Sequence, residues 1–300
     1  MAGQRKKRPF FTIKRRDALC GLLFMLPWIV GFCLITAYPF IYSLHISFNQ
    51  VVIKPGLIEF EPMGWEFYRA ALLSDTEYPV RLMSSLASVL LGTPVSVVFA
   101  LVIALLLNNK FRGRGLLRVV FFLPVIIMSG PVMSELLTET AAMRINVDVF
   151  GVLGLLQAME GNLASILITF LNSFVRILWF TGVQTIVFLA VLQKVDRAMY
   201  EAASIDGATV WESFWRITLP YLRPSILLCT VYTIVEIGTF SDDPTNQKIV
   251  GSMRDITRPY SYSAAMSWIY AVCLLMLIGL GLLLLSDWKE IRRSRHERQR

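Results

Sequence analysis

Six stretches of this chain stay apolar for as long as a helix needs to cross a bilayer, and nothing else in the sequence constrains its fold as strongly. They run about Leu19–Phe48, Leu82–Leu107, Leu116–Leu137, Phe174–Leu192, Leu222–Phe240 and Tyr262–Ser286. A span takes ~20 mostly apolar residues. Hydrocarbon supplies no water to backbone N–H and C=O groups, so each run must satisfy its own backbone as a helix. The expectation is an all-α integral membrane protein with six transmembrane helices. Composition agrees: 55% of the 300 residues are hydrophobic and 17% charged, against roughly 25% charged in soluble domains. Disorder, a secreted disulfide scaffold and an ordinary cytosolic enzyme are excluded. Cys20, Cys33, Cys229 and Cys273 lie inside apolar runs with no CxxC spacing, and read as small buried hydrophobes.

Two runs are too long for one upright span. In the first, Pro27 and Pro39 predict a kink, or a helix that leaves the membrane near Tyr42. Leu163–Leu192 would reach about 45 Å as one helix. It divides into an interfacial helix over Leu163–Ser173 and a span beginning near Phe174, with a further short amphipathic piece at Phe150–Met159. The first run lacks a small-residue cleavage site and is longer than a signal-peptide core, so it reads as a retained span.

Lys and Arg set the orientation. Of the 29, 21 fall in the N-terminal tail, the loop after the second run, the loop after the fourth run and the C-terminal tail. Seven fall on the other side, and Arg176 lies within a span. Both termini are therefore expected in the cytoplasm. The organisation is a basic tail over 1–17, a membrane domain over 18–288 containing a cytoplasmic loop over 194–223, and a second basic tail over 289–300. The net charge of +8 is explained by topology and anionic lipid headgroups, not by nucleic acid.

Catalytic patterns are missing. There is no GxxxxGK[ST], HExxH or GxSxG, and the two histidines, His45 and His296, have no partners to assemble with. No ladder of Asp, Glu and His runs through the spans, as a proton-driven pump would often show. No catalytic residue and no metal ligand set is expected. Either the chain is a passive channel or carrier, or another subunit supplies the energy.

The loop after the fourth run is the informative region. It reads Tyr200-Glu201-Ala202-Ala203-Ser204-Ile205-Asp206-Gly207-Ala208, then Trp211-Glu212-Ser213-Phe214-Trp215-Arg216-Ile217-Thr218-Leu219-Pro220. Glu201–Ile205 favours helix, Gly207 permits a turn with positive φ, and a second helix presents Trp211, Phe214 and Trp215 at i, i+3, i+4. Pro220 is expected to end or bend that helix before the fifth span. Locally this is a helix–turn–helix docking knob, with small alanines for close approach and Glu201 offering a charge to a cationic partner.

The Glu-Ala-Ala tract, then Gly207, then Ile217-x-Leu219-Pro220, resembles the signature loop of bacterial ABC-importer permeases at every fixed position. The likeness extends to Leu26-Pro27, Ala37–Ser43, Ile46-Ser47-Phe48, Trp65–Tyr68, Ala104–Gly115 and Phe121–Pro124, which are similar to the carbohydrate-uptake subfamily. Met133–Leu163 and Ser241–Asn246 depart from that pattern. The resemblance implies the permease fold in the bacterial cytoplasmic membrane, moving a sugar or oligosaccharide. It implies an extracytoplasmic solute-binding protein, a second permease subunit, in that subfamily commonly a different chain, and two ATPase subunits that hold the ATP and Mg. It also implies that Glu201, Ala202, Ala203, Asp206, Gly207, Ile217, Leu219 and Pro220 form the ATPase-coupling element. A non-sugar solute, or a self-sufficient channel or carrier, are the competing readings.

Two charges lie within spans. Arg176 is one turn into the fourth run, and Glu236 lies about 18 Å beyond Pro224 at helical rise. Opposite charges at similar depth invite pairing. They form either a structural ion pair or part of a translocation wall with Asn172, Trp179 and Trp268, whose indole faces suit sugar rings.

The topology is directly testable. Cysteines introduced at Asn109 and Ser204 should resist a membrane-impermeant thiol reagent in intact cells, and one at Ser74 should react. Labelling of Ser204→Cys from outside would reverse the orientation.

Overall fold

The computed structural model describes residues 13–54, 57–109, 115, 177–255 and 259–285. The expected span over Leu116–Leu137 and the expected external helices at Phe150–Met159 and Leu163–Ser173 lie outside the described residues, as do the basic tail over 289–300 and residues 1–12 of the basic tail over 1–17.

The described chain is mainly helical. Its elements are α1 (Ile13–Phe32), α2 (Tyr38–Phe48), β1 (Asn49–Lys54), β2 (Leu57–Pro62), α3 (Glu66–Arg69), α4 (Tyr78–Asn108), α5 (Gly182–Leu192), α6 (Arg197–Ile205), α7 (Val210–Ser213), α8 (Leu219–Gly238), α9 (Pro244–Arg254) and α10 (Tyr260–Leu285). Wide π-helical turns at Cys33–Ala37 and Phe214–Thr218 join neighbouring helices without a break, and a third at Ala70–Ser74 extends α3 up to the extended Asp75. Among the described residues, four continuous helices are long and apolar enough to cross a membrane: Cys20–Phe48, Tyr78–Asn108, Val210–Gly238 and Tyr260–Leu285. Gly182–Leu192 is a fifth, shorter apolar helix.

Two expectations change. The first run is helical through Pro39 and Tyr42 and ends at Phe48, where the apolar run ends. Pro39 falls in the first turn of α2, just after the π turn Cys33–Ala37, which accommodates a residue with no N–H to give. The all-α description is amended by an antiparallel hairpin in which Asn49 pairs with Pro62 and Lys54 with Leu57. Separated from the helix by two residues, the β-branched run Val51, Val52 and Ile53 favours strand over further helix. Cys20 and Cys33 are exposed on the first helix, and Cys229 is buried as expected.

The chain divides into two compact units, over 1–79 with 248–270, and over 80–247 with 271–300. In the first, Ser47 and Tyr68 share a hydrogen bond of 2.7 Å, and Phe48, Trp65 and Tyr68 form an aromatic cluster. Asp75 is its polar centre. One carboxylate oxygen accepts from the N–H groups of Glu77 and Tyr78 at 2.9 and 3.0 Å, capping α4. The other accepts from the Tyr262 hydroxyl at 2.8 Å and lies 3.7 Å from Lys248 Nζ, which also pairs with Glu77. The Tyr78 hydroxyl donates to the Met266 carbonyl at 2.7 Å.

In the second unit α4 contributes a seam that recurs every three or four residues: Ser85, Val89, Thr93, Ser96, Ala100, Ala104 and Leu107 are all buried. Small residues in this seam let helices approach closely where lipid would otherwise compete. Ala100, Ala104 and Leu107 pack with Phe188, Leu189 and Leu192 of α5 and with Leu222 and Cys229 of α8. Gly238 ends α8 against Leu274 of α10. A Cβ there would come within 2.7 Å of the leucine, so only glycine fits without movement.

Asp243 starts α9 and joins it to α4. Its carboxylate accepts from the N–H of Thr245 and Asn246 at 2.9 and 3.2 Å and from the Ser85 hydroxyl at 2.7 Å. Asn246 donates to the carbonyls of Gly238 and Phe240, both at 2.9 Å, at the otherwise bare end of α8. Asp243→Ala removes the cap and leaves the Ser85 hydroxyl, which still accepts from Thr245, without its acceptor. The expected cost is about 1–3 kcal/mol, read as a lower melting temperature of the detergent-purified protein. An unchanged melting temperature would remove Asp243 from the scaffold.

Candidate functional site

The loop between α5 and α8 is built from strong local signals. Asp196 precedes α6 and accepts from the Ala198 N–H at 3.0 Å. The helix stops at a glycine, as the sequence suggests. The Gly207 N–H donates to the Ser204 carbonyl at 3.1 Å, the Ala208 N–H to the Ala203 carbonyl at 2.9 Å, and Gly207 has φ 79°. This pair of bonds is a Schellman stop, and it needs a left-handed residue at Gly207. Asp206 is the last residue before the turn, its N–H on the Ala202 carbonyl at 3.0 Å.

The second helix restarts two residues later with a reciprocal cap. The Glu212 N–H donates to the Thr209 hydroxyl at 3.3 Å, and the Glu212 carboxylate accepts from the Thr209 N–H at 2.8 Å. The Thr-x-x-Glu spacing that produces it is a local sequence signal for a helix start. Trp211, Phe214 and Trp215 form the expected face, with ring centroids 5.5–6.2 Å apart. Pro220 does not end this helix. Val210–Gly238 is continuous, with the π turn at Phe214–Thr218 feeding α8 and Pro220 in the first turn of α8. The Leu219 N–H reaches back to the Phe214 carbonyl. The extra residue in the wide turn accommodates a proline that has no N–H to give.

The resulting surface is amphipathic toward solvent. Glu201, Ala202, Ser204, Ile205 and Asp206 are exposed, and Ala203 half-buried. Ile205, Val210 and Trp211 are 87%, 89% and 67% exposed. Ile217 and Leu219 are half-buried and Pro220 is exposed. An acidic side chain beside a cluster of uncovered apolar and aromatic side chains is the chemistry of a protein-docking knob.

The residues expected along a membrane path are placed less completely. Asn172 and Arg176 lie outside the described residues. Trp268 belongs to the first unit, its ring 4.8 Å from Phe40. Trp179 and Glu236 belong to the second unit. Trp179 is edge-on to Phe240 at 6.2 Å, and its indole N–H is buried without a hydrogen-bond partner among the described residues. Glu236 is half-buried and accepts from the Gln184 amide at 2.9 Å; the same nitrogen lies 2.8 Å from the Thr233 hydroxyl. Gln184 was not singled out from the sequence, because a lone amide in an apolar run has no local pattern. Nearby, Ser84, Ser88, Phe180, Ile237, Phe240, Asp242, Asp243 and Pro244 line a cavity of about 280 Å³.

Four helices long and apolar enough to cross a membrane, together with a capped, exposed loop, are the architecture of a multi-pass membrane protein. Comparison with known proteins places it more closely. The chain is 30% identical over 305 aligned residues to the probable ABC transporter permease protein YesP of Bacillus subtilis, covering 90% of each chain. It is therefore a member of the ABC transporter permease family, a transport component rather than an enzyme. It is 29% identical to the arabinooligosaccharides transport system permease AraP of Halalkalibacterium halodurans, covering 79% of this chain and 73% of that one. It is 28% identical to the lactose transport system permease LacF of Rhizobium radiobacter, covering 78% of each. A chain of a crystallised bacterial ABC transporter that imports the acidic polysaccharide alginate shares the fold at TM-score 0.54 and 21% identity, covering 91% of this chain and 96% of that chain. No protein-family profile matches.

Gly207 is the sharpest local test of the loop. Gly207→Val forces a β-branched residue into the left-handed region at about 1–2 kcal/mol, whereas Gly207→Asn, which tolerates that conformation, should cost less. Limited proteolysis of the purified protein should cut the Val variant near 206–209 faster than wild type and leave the Asn variant close to it. Equal cutting of all three would mean the turn does not depend on Gly207.

Proposed function

We propose that this chain is the membrane-spanning subunit of an ATP-driven importer that moves an oligosaccharide or related polyol across the bacterial cytoplasmic membrane. The carrying observation is the loop over 194–223. Its two capped helices expose Glu201 and an uncovered aromatic and aliphatic surface, and its Glu-Ala-Ala, Gly207 and Ile217-x-Leu219-Pro220 residues match the coupling loop of importer permeases. The sugar class is supported by the arabinooligosaccharide and lactose permeases among the relatives.

In this reading six helices cross the membrane, with both termini and the coupling loop in the cytoplasm. The chain pairs with a second permease subunit, and two ATPase subunits bind ATP and Mg. A solute-binding protein docks on the outer face. A second alginate importer structure, again alike in fold at TM-score 0.55, was solved in complex with a periplasmic protein bound to an alginate pentasaccharide. Glu201 meets a basic side chain of the ATPase. Glu236, held by Gln184, offers a carboxylate to solute hydroxyls in the outer half of the path, and Trp179 offers a ring face; Trp268, in the other unit, offers one of its own. Asn172 and Arg176 complete that path.

The test is purification of the complex with its co-expressed neighbours. Wild type should retain an ATPase and show solute-stimulated hydrolysis in vesicles. Glu201→Ala should lose most of the ATPase while inserting normally, because removing one partner of a partly desolvated ion pair strands the other. Full ATPase retention and wild-type transport by Glu201→Ala would overturn the coupling role. Uptake without any ATPase would favour a self-sufficient carrier.

A further inference from the structure

The Tyr200 hydroxyl lies 2.8 Å from the Thr218 hydroxyl, across the turn that separates α6 from the second helix of the loop. Tyr200 and Glu201 are consecutive, and consecutive residues on a helix point about 100° apart. Glu201 is exposed and Tyr200 is half-buried, so one helix presents a charge outward and a hydroxyl inward. Thr218 is 5% exposed, which keeps water from competing for the bond.

Thr218 occupies a mechanically soft point. It is the last residue of the π turn Phe214–Thr218, two residues before Pro220 and six before Pro224. Neither proline has an N–H, so the carbonyls of Arg216 and Pro220 receive no ordinary helical bond. A helix bends most easily where its ladder is interrupted this way. The covalent path from Tyr200 to Thr218 runs through 18 residues and the Gly207 turn, whereas the hydrogen bond joins the two side chains directly.

We propose that the Tyr200–Thr218 hydrogen bond is the latch that carries movement of α6 into the π turn at the base of α8, making Tyr200 and Thr218 positioning residues for coupling. This rests on the loop being the ATPase seat. The assignment separates two tasks within one helix: Glu201 holds the partner, and Tyr200 passes the motion on.

Tyr200→Phe removes only the hydroxyl, Thr218→Val replaces a hydroxyl with a methyl at constant shape, and Thr218→Ser keeps the hydroxyl. Each would be purified as the assembled complex and assayed in vesicles for ATPase retention, hydrolysis and solute transport. The expected result is wild-type ATPase retention in all three. Solute transported per ATP hydrolysed should fall about fivefold or more in Tyr200→Phe and Thr218→Val. The double variant should be no worse than either single one, and Thr218→Ser should stay near wild type. An unchanged transport-to-hydrolysis ratio in Tyr200→Phe would overturn the latch. Loss of the ATPase from Tyr200→Phe would also overturn it, by making the tyrosine part of the seat. Failure of the underlying reading is distinct, because it shows as Glu201→Ala keeping both ATPase and transport.

Discussion

A polar group in an apolar surround must find its partner inside the protein, and this structure is organised around that requirement. The backbone meets it with long helices. Side chains meet it by bonding back along their own helix, as the hydroxyls of Thr185, Thr230, Thr233 and Thr239 do to carbonyls four residues earlier. Where that is not enough, polar side chains join helices: Gln184 reaches Thr233 and Glu236, and Asp243 reaches Ser85. These bonds lock rotation and register between helices that nonspecific apolar packing would leave free to slide.

The same accounting shapes the loop over 194–223, with water now allowed on one side. Every helix end there has a named partner: Asp196 for the start of α6, the Gly207 turn for its end, Thr209 with Glu212 for the restart. A segment so fully capped holds its shape without a tertiary core, leaving its apolar side chains free for another protein. The π turn at Phe214–Thr218 then connects this stiff knob to α8 beside two prolines that interrupt the helical ladder. Stiffness beside softness is what a mechanical coupling requires, since motion imposed on a rigid element concentrates at the weakest joint.

Much of this was readable from residue order. Apolar run length located the long helices to within a few residues at α4, α8 and α10, because lipid admits so few backbone solutions. The Gly207 turn was readable because positive φ is a local property that glycine supplies cheaply. Asp243-Pro244 and Thr209-x-x-Glu212 carried equally local capping signals. Other features have no local signature. The hairpin at Asn49–Pro62 begins where the first apolar run ends, and nothing in that run specifies strand pairing. The effect of Pro220 depends on whether the preceding turn can widen, which is a matter of geometry. Arg176 and Glu236 invited a pairing by charge and depth, while the partner found for Glu236 among the described residues is the neutral Gln184.

Sequence by itself determined that the chain is a helical membrane protein with a capped, outward-facing knob, because run length, caps and glycine act over a few residues and need no distant partner. Tertiary structure decided which polar side chains meet across helices, that Gly238 packs directly under the Leu274 side chain, and that Tyr200 reaches Thr218. Those outcomes depend on the rotation and spacing of elements far apart in the chain, set by small residues packing face to face, and no pattern within a single helix encodes them.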